Sequence, residues 1–145
     1  EPDQLIDLAA YNEVVPAVNQ IETNLQAQRL IEHEWMTRLN VQHEGYMPFG
    51  QGRANEMFED PKILEIAAKY GKTPRQVALR YQIQCGVIII PKSVNPERVR
   101  ANADVFDFAL SDQDMTVLRS MDMEKPLTGD PETPERTMKI TGFKL

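Results

Sequence analysis

Apolar and polar positions recur along this chain with two different periods, and the switches between them mark out its elements. Pro2 stands at a first-turn position with Leu5, Ile6, Leu8 and Ala9 behind it, which predicts a short helix ending near Tyr11-Asn12. Residues 14–21 form a compact apolar run with β-branched members and predict a buried strand. Leu30, Ile31, Trp35 and Leu39 then recur at helical spacing and place an amphipathic helix over about residues 26–39. A second strand is expected over 41–46. Residues 47–59, which include Pro48, Gly50 and Gly52, read as a loop of functional length.

Helix-start signals dominate the second half of the chain. Asp60-Pro61 is an N-cap followed by proline at the first helical position, with Ile63, Leu64, Ile66, Ala67 and Tyr70 as the buried stripe. Thr73-Pro74-Arg75-Gln76 repeats the device as a capping box, and Gly86 sits where a C-terminal glycine cap belongs. Residues 87–90 predict a third, fully apolar strand stopped by Pro91, and Asn95-Pro96 opens another helix. Ser111-Asp112-Gln113-Asp114 has capping-box spacing before Met115, Leu118 and Met121. Strands alternating with helices imply parallel βα units, in a doubly wound sheet or a barrel. Residues 124–145, with Pro126, Gly129, Pro131 and Pro134, read as a loop or tail.

Composition narrows the classes. With 145 residues, 41% hydrophobic and 26% charged, the chain has the make-up of one ordinary globular unit or a piece of one. Sixteen Lys and Arg against 22 Asp and Glu give a net charge of −6, which opposes any broad attraction to nucleic acid or anionic lipid. A phosphate site, if present, must be local. The longest strongly apolar run, 87–90, is far short of a bilayer span and no basic-apolar leader opens the chain, so no membrane partner and a cytoplasmic location are expected. The single cysteine, Cys85, closes no internal disulfide and points to a reducing compartment. The first residue is Glu1, not Met, a hint that the true N-terminus lies elsewhere.

Chemistry concentrates in one stretch, Ile90-Pro91-Lys92-Ser93-Val94-Asn95-Pro96-Glu97-Arg98. A strand ends, a Lys and a Ser come next, and a helix begins with an Arg in its first turn. Parallel βα folds bind ligands at the carboxyl ends of strands, where free helix N–H groups favour anions. Lys92 offers a point charge, Ser93 a hydroxyl and Arg98 a planar fork suited to phosphate. The same residues read equally well as solvated cations and a turn-forming serine.

Three blocks lie in register: Val18-Asn19-Gln20-Ile21-Glu22, then Tyr46-Met47-Pro48-Phe49-Gly50-Gln51-Gly52, then Ile90-Pro91-Lys92-Ser93-Val94 with Asn102 and Val105-Phe106-Asp107-Phe108 after it. In order and spacing this resembles the aldo-keto reductases, and is similar to their bacterial diketogluconate-reductase-like members. The resemblance implies an α/β fold, the C-terminal part of a (β/α)8 TIM barrel holding strands 6 to 8 with their helices. The barrel would be incomplete in this chain, with residues 1–123 as its C-terminal half and 124–145 as tail. It implies an NADPH-dependent oxidoreductase that reduces aldehydes or ketones to alcohols by hydride transfer, and NADP(H) as cofactor.

Carried over residue by residue, the resemblance makes Gln20 a hydrogen-bond partner of the nicotinamide carboxamide and Tyr46 the aromatic stacked on the nicotinamide ring. An amide offers the donor and acceptor a carboxamide needs, and an aromatic face selects one side of the ring. Without the resemblance, Tyr46 reads as a core residue and Gln20 as a partner for buried backbone. Met47, Phe49 and Gln51 would line the pyrophosphate and ribose path, Met47 departing from the Ser or Gly common there. Lys92, Ser93, Val94, Asn95 and Arg98 would surround the 2′-phosphate and Asn102 would read the adenine edge. Ala101 stands where many members have Glu or Gln.

No catalytic residue is assigned. In the family, the Asp-Tyr-Lys-His tetrad comes from the first four βα units and a Ser-Asn pair from just before the point where this chain starts, so the missing N-terminal half of the barrel is an expected partner. His33-Glu34-Trp35-Met36-Thr37 opens like a zincin helix but has Thr where a second His is required, so no metal site is expected. His43-Glu44 reads as structural or solvated, and Cys85 as an inert thiol. Two functions compete: part of a carbonyl reductase inactive as 145 residues alone, or a truncated, non-catalytic NADP-binding or protein-interaction module. A doubly wound nucleotide domain ranks last, because no G-x-G-x-x-G occurs.

Overall fold

In the computed structural model, residues 2–51, 54–124 and 126–127 are described. Helix α1 (Pro2–Tyr11) leads into strand β1 (Val18–Glu22), helix α2 (Leu30–Arg38) and strand β2 (Gln42–Tyr46). Helices α3 (Ala54–Phe58), α4 (Pro61–Tyr70) and α5 (Pro74–Gln84) precede strand β3 (Ile88–Ile89), and α6 (Pro96–Ala103) and α7 (Asp112–Arg119) complete the order. The three strands form one parallel sheet in the order β1-β2-β3, with Val18 opposite Gln42 and Glu44 opposite Ile88. The expected βα alternation is therefore present. The predicted tail, 124–145, and Gly52 of the predicted loop lie largely outside the described residues.

Several boundaries differ from the sequence pattern for identifiable reasons. Strand β1 starts at Val18 rather than residue 14, because the ladder begins where Gln42 N–H donates to Ala17 O and no β2 residue is available further back. Val14 is accordingly 80% exposed. Helix α2 starts at Leu30 rather than 26, because Asn24 to Ala27 close a turn: the Asn24 carboxamide accepts from the N–H groups of Gln26 and Ala27, and Arg29 is left-handed at φ 57°. The loop after β2 contains the five-residue α3, whose Met57 and Phe58 are buried. Strand β3 has only two residues, since Val87 N–H still serves the carbonyl of Gln82.

The helix starts obey their caps. Asp60 accepts from Lys62 N–H, Thr73 and Gln76 form the reciprocal capping box, and Asn95 accepts from the N–H groups of Glu97 and Arg98. Each such cap contributes about 1 kcal/mol by satisfying donors that the helix leaves free. Ser111 caps α7 through Asp114 N–H, but the second half of the predicted box is absent. Ser111 N–H goes to the Tyr70 hydroxyl instead, and the Asp114 carboxylate takes Lys69, Tyr70 and Ser111 as donors at 2.7, 2.6 and 2.6 Å. Asp114 thereby ties α7 to α4.

Burial is one-sided. Ile63, Ile66, Val77, Ala78, Tyr81, Leu118 and Met121 form a core among α4, α5 and α7 with Leu25, Met57 and Phe58. A smaller cluster joins Leu5, Met36 and Val41. On the helix-facing side of the sheet, Gly45 admits no side chain, since an added Cβ would lie 2.9 Å from Thr23 Cβ. On the other side, Val18, Gln20, Ile88 and Ile90 are exposed. No helix among the described residues is long and apolar enough to cross a membrane.

The two histidines, ten residues apart in sequence, meet between α2 and β2. His33 Nδ1 and His43 Nδ1 are 3.0 Å apart, and His43 Nε2 lies 2.8 Å from the Thr23 hydroxyl. Thr23 can donate its one hydroxyl proton to Ile21 O while accepting from His43 Nε2–H, which leaves His43 Nδ1 as acceptor for His33 Nδ1–H. Burial, then the neighbouring His33 and Arg29, push His43 down to about 4. The folded chain thus keeps His43 neutral where the unfolded chain protonates it, so the unfolded state binds more protons across that window. Thermal stability is expected to fall as pH drops from about 6.5 towards 4, and His43→Gln should flatten that slope. Burial would raise the Asp114 carboxyl, but Lys69, Ser111 and Tyr70 hold it at about 2, so its contribution is lost only at lower pH. Scanning calorimetry from pH 7 to 2 separates the two windows, and an unchanged slope between pH 6.5 and 4 in His43→Gln would contradict the assignment.

Candidate functional site

Because the sheet is parallel, its strands deliver their following segments to one edge. The segment after β2 turns at once. Met47 and Gly50 are left-handed at φ 56° and 60°, and Gly50 N–H donates to Met47 O at 2.9 Å. Phe49, carried on this turn, meets Phe58 edge-on with ring centroids 5.9 Å apart. The segment after β3 carries Lys92 and Ser93 into the N-terminus of α6, where Ser93 Oγ accepts from Asn95 N–H at 3.2 Å.

Two cavities meet along this edge. One, of about 240 Å³, is lined by Phe49, Thr73, Arg75, Gln76, Lys92, Ser93, Arg98, Ala101 and Asn102. The other, of about 330 Å³, runs along the turn and is lined by residues 47–51 with Ile90 and Lys92. Phe49 and Lys92 line both, so the two adjoin at these side chains and together make a trough along this edge.

Charge distinguishes the first cavity. Arg29, Arg38, Lys69 and Lys72 each hold a carboxylate partner. Arg75, Lys92 and Arg98 show no ion pair or side-chain hydrogen bond among the described residues, yet all three line this cavity and its wall contains no Asp or Glu. In a chain of net charge −6, three unneutralised cations around one concavity make a local positive field suited to a multiply charged anion. A charge-assisted contact to such an anion contributes roughly 1.5–3 kcal/mol.

Most of the residues singled out in the sequence reach this trough. Phe49, Lys92, Ser93, Arg98 and Asn102 share the first cavity, and Met47, Phe49 and Gln51 with Lys92 share the second. Val94 is 84% exposed and lines neither; Asn95 is spent on capping α6, so the helix N–H groups expected to be free for an anion are already partnered. Gln20 and Tyr46 also lie outside the trough, on the open side of the sheet with Glu44 between them in register. Gln20 Nε2 donates to the Glu44 carboxylate, which leaves its second N–H and its carbonyl oxygen without a partner among the described residues.

Thr73, Arg75 and Gln76 were not among the sequence candidates. Their tetrapeptide carries a plain helix-cap signal, and nothing in it indicates that the first turn of α5 packs against the α6 side of a cavity. The His33–His43 contact was missed for a related reason, since each residue alone carries no signal. Among the described residues no group of three or more His, Cys, Asp or Glu could hold a metal, and burial pushes the Cys85 thiol up, which keeps it protonated.

Residues 2–123 match the model of the Aldo/keto reductase family. An aldo-keto reductase of Mycolicibacterium smegmatis is 44% identical over 142 residues, covering 98% of this chain and 49% of that protein. Methylglyoxal reductase DkgA of Escherichia coli is 37% identical over 119 residues, covering 82% of this chain and 43% of its own length. Among solved structures, a Gox0644 mutant in complex with NADPH superposes with a TM-score of 0.78 at 40% identity, over 84% of this chain and 44% of that one. A Bombyx mori aldo-keto reductase in complex with NADP gives 0.83 at 28% identity, over 93% and 47%. The chain therefore spans about half the length of the relatives it matches.

Gly50 lines the trough at the turn after β2, where its backbone leaves little room for a side chain. An added Cβ would sit 2.9 Å from Leu127 Cδ1 at a left-handed φ of 60°. Gly50→Ala is expected to cost about 1–2 kcal/mol through the backbone alone and to lower the thermal midpoint measurably. A midpoint equal to that of the parent chain would show that the turn tolerates the change.

Proposed function

The chain belongs to the aldo/keto reductase family, and on that premise we propose that it is part of an NADPH-dependent carbonyl reductase and supplies most of the cofactor site. In this reading β1, β2 and β3 stand as the sixth to eighth strands of a (β/α)8 barrel. The observation that carries it is the cavity where Arg75, Lys92 and Arg98 converge with no carboxylate among the described lining residues. That donor set fits the phosphate monoester that separates NADP from NAD, and the adjoining cavities, from Arg75 and Arg98 past Phe49 to residues 47–51, fit a dinucleotide laid along the strand ends.

Each residue then has a physical task. Lys92, Ser93 and Arg98 hold the 2′-phosphate, Asn102 offers its amide to the adenine edge, and Met47, Phe49 and Gln51 border the path of the pyrophosphate and ribose. Asn95 acts through the backbone by fixing the start of α6. Gln20 presents its carbonyl oxygen to the carboxamide N–H, one of its own N–H groups being directed to Glu44. Tyr46 supplies the flat face that leaves one side of the nicotinamide available. The cofactor, when bound, supplies the hydride, and the protein contributes binding and orientation. The proton donor to the carbonyl oxygen belongs to the family's first four βα units, which have no counterpart among these residues. The exposed Val18, Ile88 and Ile90 on the sheet's open side are the apolar surface that such units would cover.

Arg98→Ala is expected to weaken NADPH about tenfold or more and leave NADH nearly unchanged, measured by fluorescence titration; equal losses would sink the assignment. Tyr46→Ala should reduce affinity for the nicotinamide end with little change in melting temperature, whereas a large drop with unaltered binding would make Tyr46 structural. The 145-residue chain alone should not turn over a generic aldehyde with NADPH, since a (β/α)8 barrel takes about 250 residues and eight strands. Turnover without a companion segment would overturn the incomplete-barrel reading.

A further inference from the structure

We propose that Arg75 is a specificity-determining residue of this site, gripping the 2′-phosphate monoester of the adenosine from the side opposite Lys92 and Ser93. The inference rests on the dinucleotide reading of the trough. Its own basis is separate: Arg75 enters the cavity from the first turn of α5, while Lys92, Ser93 and Arg98 arrive from the β3–α6 segment. Cations on two independent elements enclose an anion, where cations on one loop would only flank it.

The side chain is also pre-ordered. Arg75 Cζ lies 4.8 Å from the centroid of the Phe58 ring, and Phe58 is 6% exposed and braced edge-on by Phe49. A guanidinium over an aromatic face keeps its in-plane N–H fork free for a planar pair of phosphate oxygens, and its restricted rotamers lower the entropy cost of binding. Among the described residues no carboxylate lines the cavity to compete for that fork, and α6 contributes Ala101, Asn102 and Arg98 to the lining.

A purely structural role is poorly supported. The start of α5 is already held by the Thr73–Gln76 box and by Gln76 Nε2, which donates to Asp104 O at 2.9 Å and to its carboxylate at 3.1 Å. Arg75 itself is exposed.

Adenosine 2′,5′-bisphosphate and adenosine 5′-monophosphate serve as probes, titrated calorimetrically into the 145-residue chain, because they report on this cavity without turnover or nicotinamide. Arg75→Met keeps a stem over Phe58 and removes the charge. It should weaken the bisphosphate about tenfold, leave the monophosphate within about twofold, and make bisphosphate binding less sensitive to salt. Arg75→Lys should recover part of the loss, with less than full recovery marking the planar fork. An unchanged thermal midpoint in Arg75→Met checks that the variant folds. Unchanged bisphosphate affinity, or equal losses for both probes, would overturn the role of Arg75 while Arg98→Ala still discriminates between them. A parent chain that binds the two probes alike, or binds neither, would overturn the dinucleotide reading itself.

Discussion

Parallel pairing of β1 with β2 and of β2 with β3 is the constraint on which everything else in this chain depends. Parallel neighbours must each return through a crossover, so helices fill one face of the sheet while the strands' carboxyl ends are brought to a common edge. The register of Val18 with Gln42 and of Glu44 with Ile88 sets how far those ends are offset. The turn at 47–51 and the Lys92–Ser93 segment are therefore neighbours despite their wide separation in sequence, and the trough is the space between them.

Rigidity is supplied from behind the sheet. The core of α4, α5 and α7 packs around Met57 and Phe58, and the same Phe58 ring carries Arg75 and braces Phe49. Packing and recognition thus share one side chain. Polar ties act alongside: Gln28 is buried and donates to Leu25 O and Leu118 O while accepting from the Tyr81 hydroxyl at 2.6 Å, which joins the segment after β1 to α5 and α7. Such fully partnered buried groups are costly to disturb, because the low dielectric penalises any group left alone.

Electrostatics separates the working edge from the remainder of the surface. Lys69 and Lys72 are occupied by Asp114, Asp104 and Asp107, so their charge is spent on holding helices together. Arg75, Lys92 and Arg98 carry no such partner among the described residues. Against the excess of acidic residues elsewhere, the cavity that gathers these three cations is one where an anion finds field and hydrogen-bond donors at once.

How much was legible in the sequence depends on the range of the physics involved. Helix starts at Asp60, Thr73, Asn95 and Ser111 were readable because a cap is a contact between residues two or three apart. The alternation of strand and helix, and the three motif blocks that align with a known family, were likewise carried by local pattern and spacing. Strand ends were less so: β1 begins where its partner β2 allows, and the N–H of Val87 serves α5 before β3 can start. The meeting of His33 with His43, the diversion of Ser111 N–H to the Tyr70 hydroxyl and the entry of Arg75 into a cavity shaped by Lys92 and Arg98 belong to tertiary structure alone. Each depends on how one element is rotated against another, which no residue's own neighbours along the chain encode. The sequence by itself singled out Lys92, Ser93 and Arg98 as an anion-binding set and left Arg75 unmarked. Only the packing of α5 against α6 across the end of β3 decided that these particular cations line one cavity together, because a binding field requires charges held at fixed separations and the chain specifies separations only once it is folded.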